Sequence, residues 1–132
     1  LDEFKKINDL QGHTSGDAML VNAAQALRAS TRSSDVVARC GGDEFAVLAI
    51  HCDQQQADQL VARMHESLAQ FDLRGSIGVG VRNPAKTLGD AWKQADQNMY
   101  VVKRNRKRHT SDQTPQISSD LTAGSAQHIA SS

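Results

Sequence analysis

The sequence predicts an α+β domain in which helices flank an antiparallel-rich sheet. Three observations carry that prediction. Apolar residues recur at helical spacing in several stretches, glycines sit where a hairpin should turn, and helices alternate with short β-type runs. The order reads helix, helix, strand, turn, strand, helix, strand, helix, which suits a sheet with helices on one face or both. A length of 132 residues fits one domain with a real hydrophobic core.

Residues 2–10 read as a helix with Phe4 and Ile7 on one side, and Gly12 as its stop. Ser15 or Asp17 is the expected cap of a second helix carrying Leu20, Ala23, Ala24 and Leu27. Arg32–Asp35 then leads into a strand at Val36–Ala38, with a second strand expected over Phe45–Ile50. Asp53–Phe71 is the clearest amphipathic helix, striped by Ala57, Leu60, Val61, Met64, Leu68 and Phe71. Leu73–Val81 reads as a strand ended by Asn83-Pro84, and glycines within it point to close approach of another backbone. The last helix is expected over 87–104 with a stripe of Leu88, Trp92, Ala95, Met99 and Val102. A first domain over 1–108 is therefore followed by a polar tail, 109–132, too poor in apolar residues to build a core and expected to be disordered.

Composition excludes several classes of function. Fifteen basic and fifteen acidic residues cancel, which gives no general electrostatic case for nucleic acid or membrane binding. No apolar run approaches the roughly 20 residues that span a bilayer, and no signal peptide opens the chain. The two cysteines, Cys40 and Cys52, fit reduced thiols in a cytoplasmic setting and have no zinc-ligand spacing. No Ser/His/Asp or Cys/His arrangement stands out, and His13 reads best as structural.

Arg39-Cys40-Gly41-Gly42-Asp43-Glu44-Phe45 is the most informative segment. Two glycines bare the backbone at the turn, and two adjacent carboxylates begin the next strand pointing to opposite faces. A phosphate–metal site could use each differently. An ordinary solvated acidic hairpin tip has the same local composition.

Residues on both sides of the turn favour the site. Leu1–Asp9 with Gly12-His13 and Gly16-Asp17, the Arg39–Phe45 signature, Ser76-Ile77-Gly78, and Ala95-Asp96…Met99-Tyr100…Lys103 stand in the order of four motifs. Together they resemble the GGDEF domain of diguanylate cyclases over about residues 1–103. The resemblance implies a nucleotidyl cyclase or polymerase-palm sheet with a ferredoxin-like core. It implies condensation of two GTP molecules into cyclic di-GMP with loss of two pyrophosphates, in a homodimer using Mg²⁺ or Mn²⁺. Asp43 and Glu44 would bind metal with the Leu1 backbone carbonyl, and Glu44 could help deprotonate the attacking hydroxyl. Gly41 and Gly42 would lie against the triphosphate, Asn8 and Asp17 would read guanine, and Lys103 and Lys107 would bind phosphate. Simpler roles exist: Asn8 as a helix-end polar residue, Asp17 as an N-cap, Arg39 as a surface charge, and the lysines as a solvated basic helix end.

Arg32-Ser33-Ser34-Asp35 matches, at the right offset, the family's RxxD product-inhibition site. A guanidinium fork suits phosphate or a guanine edge, and an aspartate accepts from guanine N–H groups. A loop ion pair of little consequence is the alternative. Two features depart from the family. The family's first metal-binding aspartate and first strand precede the position of Leu1, so the chain reads as a piece of a longer protein, inactive alone, whose preceding sensor or membrane region is missing. After Lys103 an arginine replaces the usual glycine. The alternative to a cyclase is a catalytically silent module that binds cyclic di-GMP or GTP to regulate a fused partner.

Overall fold

The computed structural model of the chain describes residues 1–112. Leu1–Val102 form one compact unit, and Lys103 opens a second. The first helix, α1, spans Phe4–Gln11 and ends as expected at Gly12, which takes φ 86° and donates its N–H to the Asn8 carbonyl. A side chain at that φ would be strained, so glycine suits this corner. Helix α2 follows at once as His13–Ser30. Its start corrects the expected cap, because Gly12 rather than Ser15 or Asp17 holds that position. With one residue between the helices, the cap must fall on the glycine that makes the turn. The Ser15 hydroxyl donates instead to Gln11 O.

Strands β1 (Val36–Arg39) and β2 (Phe45–Leu48) form an antiparallel hairpin with Val36 opposite Leu48 and Arg39 opposite Phe45. The connection is Cys40–Glu44, longer than a two-residue turn, and neither Gly41 nor Gly42 takes positive φ. Asp43 and Glu44 therefore belong to the loop and not to opposite faces of a strand. Strand β2 also stops short of Ile50, whose N–H donates to the Asp35 carboxylate, and His51 then turns the chain with φ 49°.

Helix α3 runs Gln54–Ala69 from a complete capping box, Asp53 and Gln56 each bonding the other's backbone N–H. Its buried residues Ala57, Leu60, Met64 and Leu68 follow the expected stripe, while Phe71 lies beyond the helix and is 38% exposed.

Leu73–Val81 is not a strand among the described residues, contrary to expectation. A strand exists only with a ladder partner, and here the segment meets isolated contacts instead: Asp2 donates its N–H to Arg74 O and accepts from Ser76 Oγ, and Asn98 Nδ2 donates to Val79 O. The expected close backbone approach does occur. A Cβ on Gly78 would overlap backbone atoms of Ala95 and Met99, and one on Gly80 would overlap the Ala91 carbonyl. Helix α4 (Leu88–Asp112) thus meets the glycine segment backbone to backbone along Ala91, Ala95 and Met99. Ala91 is buried, and Ala95, Met99 and Val102 of the expected stripe are half-buried, whereas its Leu88 and Trp92 are 53% and 55% exposed. α4 also outlasts position 104, taking in residues 109–112 of the expected tail; 113–132 lie outside the described residues. No helix among the described residues is long and apolar enough to cross a membrane.

Two hydrophobic clusters hold the first unit. One contains Met19, Ala23, Ala26, Leu68 and Leu73, and the other Leu27, Leu60 and Met64. Phe45 packs against both. Leu68 is only 2% exposed. Leu68→Ala is expected to cost about 3 kcal/mol, read as a lower urea midpoint at unchanged slope; a loss under about 1 kcal/mol would show that this contact is not part of the core.

Candidate functional site

The hairpin loop is closed from within. Cys40 N–H donates to Glu44 O at 2.8 Å, and Arg39 Nε donates to the carbonyls of Gly41 at 3.0 Å and Gly42 at 3.1 Å. Arg39 is therefore a clamp on its own loop and not a loose surface charge. Gly42 has nothing within 4 Å of where a Cβ would stand, and the nearest atom for Gly41 is Glu44 Oε2 at 3.4 Å. Neither φ nor packing demands glycine at position 42, so its effect is to leave the outer side of the loop bare. The N–H groups of Gly42 and Asp43 have no partner among the described residues, the arrangement that receives an anion.

Leu1 lies against this loop. Its backbone nitrogen donates to Asp43 O at 2.6 Å and stands 4.0 Å from Asp43 Oδ2. Asp43 is half-buried and Glu44 exposed. Two carboxylates with a main-chain carbonyl nearby are hard oxygen donors that suit Mg²⁺ or Mn²⁺ holding several waters. No third His, Cys, Asp or Glu joins them among the described residues, so protein donors fill only part of a coordination sphere.

A second constellation forms at the α1–α2 corner. Asn8 Nδ2 lies 3.2 Å from His13 Nδ1, and Asn8 Oδ1 occupies the space that a Cβ on buried Gly16 would need. Asp17 follows Gly16 within α2, is exposed, and has no hydrogen-bond partner among the described residues. The N-cap role is thus removed for Asp17, and its exposed carboxylate lies one residue after the Gly16 that Asn8 contacts.

The Arg32–Asp35 loop is built differently from a pair of free ligands. Asp35 is 5% exposed, and its carboxylate accepts from Arg32 N–H at 2.9 Å and Ile50 N–H at 3.3 Å. Arg28 donates to its carbonyl at 3.0 Å. Arg32 is exposed on the rim of a shallow cavity of about 20 Å³, lined also by His51, Cys52, Gln56 and Arg63. That volume holds about one water. Burial, then the charges of Asp53 and Asp35, push the Cys52 thiol up, which keeps it protonated and unreactive near neutral pH.

The family model described as "Diguanylate cyclase, GGDEF domain" matches residues 1–109. The chain belongs to the GGDEF family.

Among its relatives, the probable diguanylate cyclase DgcJ of Escherichia coli (strain K12) is 37% identical over 110 residues, 80% of this chain and 22% of the relative. The diguanylate cyclase TpbB of Pseudomonas aeruginosa (strain UCBPP-PA14) is 40% identical over 121 residues, 80% of this chain and 27% of that protein. The chain therefore spans well under half of these relatives. A solved structure of TpbB from Pseudomonas aeruginosa comprising only the GGDEF domain has a TM-score of 0.64 and 32% identity, covering 79% of this chain and 67% of that one. The diguanylate cyclase SiaD of the same species, solved with its activator SiaC, has a TM-score of 0.65 and 27% identity over 79% of this chain and 44% of its own. The chain, an α+β arrangement with a small antiparallel sheet among helices, shares the fold of these GGDEF neighbours.

In this GGDEF domain the loop residues Gly41, Gly42, Asp43 and Glu44 come together with Leu1, and Asn8 comes to the helix corner that Asp17 follows. Lys103 and Lys107 stand one turn apart on α4, in the second unit. Two contributors escaped the sequence reading: Arg63 lines the Arg32 cavity from α3, and Asp2 bonds Ser76 across 74 positions of sequence. Of these only Asp2 had a signal, since both partners sit in matching motifs.

Asp35→Ala should lower stability by about 2 kcal/mol in chemical denaturation, because two main-chain N–H groups lose their acceptor, while Arg32→Ala should shift it by less than about 0.5 kcal/mol. Equal losses would show that the carboxylate does not hold this loop.

Proposed function

We propose that this chain is the catalytic domain of a diguanylate cyclase that condenses two GTP molecules into cyclic di-GMP and two pyrophosphates. The observation that carries the reading is the loop itself, bared at Gly42, with N–H groups unpartnered among the described residues, two carboxylates and Leu1 alongside. Phosphoryl transfer needs positioning and charge neutralisation more than covalent help from the protein, and this loop offers both. The Gly42 and Asp43 N–H groups receive phosphate oxygens, and Arg39 holds the loop in shape. Asp43, Glu44 and the Leu1 carbonyl would hold Mg²⁺ or Mn²⁺, which supplies charge neutralisation at the phosphates when bound.

At the reacting centre, the 3′-oxygen of one GTP bonds to the α-phosphorus of the other as the bond to pyrophosphate breaks. Glu44 takes the hydroxyl proton in this reading. Asn8 and Asp17 contact the guanine. One copy offers one half-site, so two copies face each other as a homodimer, and GTP as substrate places the domain in the cytoplasm. The phosphate-binding role of Lys103 and Lys107 rests on the sequence pattern alone. Arg32 and Asp35 receive the product, Arg32 by its exposed guanidinium.

The full-length protein incubated with GTP and Mg²⁺ should form cyclic di-GMP, and Asp43→Ala or Glu44→Ala should lower the rate at least about a hundredfold. Binding of cyclic di-GMP without GTP turnover would replace this reading with that of a silent regulatory module. Arg32→Ala should relieve inhibition by added cyclic di-GMP while turnover persists; inhibition unchanged by that substitution would remove the product site.

A further inference from the structure

The carboxamide of Asn8 is held on two sides. Its Nδ2 meets His13 Nδ1 at 3.2 Å, and its Oδ1 fills the space over Gly16, where Phe4 Cε2 also comes within 3.5 Å of a would-be Cβ. Gly16 is buried and has no positive φ, so contact with Asn8 is what its missing side chain serves. Gly12, at φ 86°, sets His13 immediately beyond the end of α1 and so within reach of Asn8.

The chemistry of this contact has one polarity. An amide nitrogen only donates, so His13 Nδ1 accepts and the ring proton sits on Nε2. An asparagine carboxamide otherwise turns about a broad torsion, and its two orientations exchange donor and acceptor. A purine edge distinguishes those orientations sharply, because the wrong one sets donor against donor. We propose that His13 is a positioning residue for base recognition: it locks the Asn8 carboxamide with Nδ2 toward the ring and Oδ1 over Gly16. The second Nδ2 hydrogen and the free lone pair of Oδ1 are thereby aimed before the nucleotide arrives. The gain is preorganisation, with no contact between His13 and the substrate. This rests on the reading of Asn8 as a guanine contact.

The test measures GTP affinity of the full-length protein with Mg²⁺ by titration calorimetry, with thermal midpoints alongside. His13→Ala should weaken GTP between about threefold and tenfold at an unchanged midpoint, the range one hydrogen bond commands. In His13→Asn the side-chain Oδ1 takes the place of Nδ1 and should restore affinity, whereas His13→Gln, which mimics the other ring nitrogen, should not. In an Asn8→Ala background His13→Ala should have no further effect. Equal behaviour of the Asn and Gln variants, or an undiminished His13→Ala effect in that background, overturns the positioning role. If Asn8→Ala weakens GTP and His13→Ala does not, positioning fails and the base contact stands. If Asn8→Ala leaves affinity unchanged, the base contact itself fails, and positioning with it.

Discussion

Phe45 is the contact on which the site depends. It follows Glu44 directly and packs against both hydrophobic clusters, one built by α2 with Leu68 and Leu73, the other by Leu27, Leu60 and Met64. A hairpin of two four-residue strands is marginal by itself, so its loop has a defined shape only because Phe45 is seated in helix packing. The opposite end of the loop is held by polar contacts, Arg39 to two carbonyls and Cys40 to Glu44. Between these anchors the outer surface carries no side chain at Gly42. Rigid ends and a bare middle let a loop approach phosphate without losing its shape.

The glycines divide by what surrounds them. Gly12 is required by its own backbone angle. Gly78 and Gly80 are required by backbone that comes too close for a Cβ, while Gly16 gives room to the movable Asn8 side chain. Gly42 is required by nothing among the described residues, which is why a ligand is the economical explanation for it. Asp35 shows the reverse case, where a residue of a proposed ligand site is already committed to the fold. With both carboxylate oxygens engaged by main-chain N–H groups, it can meet a product only through its remaining lone pairs.

Much of this was legible in the residues. The capping box at Asp53, the stripe Ala57–Leu68 and the stop at Gly12 are local signals, set by neighbours within a turn or two, and they appear where the spacing places them. The strand expected over Leu73–Val81 failed because a ladder needs a partner that no local pattern can supply. The stripe of the last helix held only in part: Ala95, Met99 and Val102 are half-buried, while Leu88 and Trp92 are exposed and Ala91 is the residue buried beside the glycine backbone.

By itself the sequence determined the family, the α+β class and the residue types of the loop, because motif order and short-range periodicity are properties of the chain alone. Tertiary structure decided which of those residues are free to meet a ligand. Asp17 proved uncapped, Asp35 proved committed, and Asn8 proved held by His13. Availability depends on hydrogen-bond partners that lie far away in sequence or across a helix corner, and only folding assigns them.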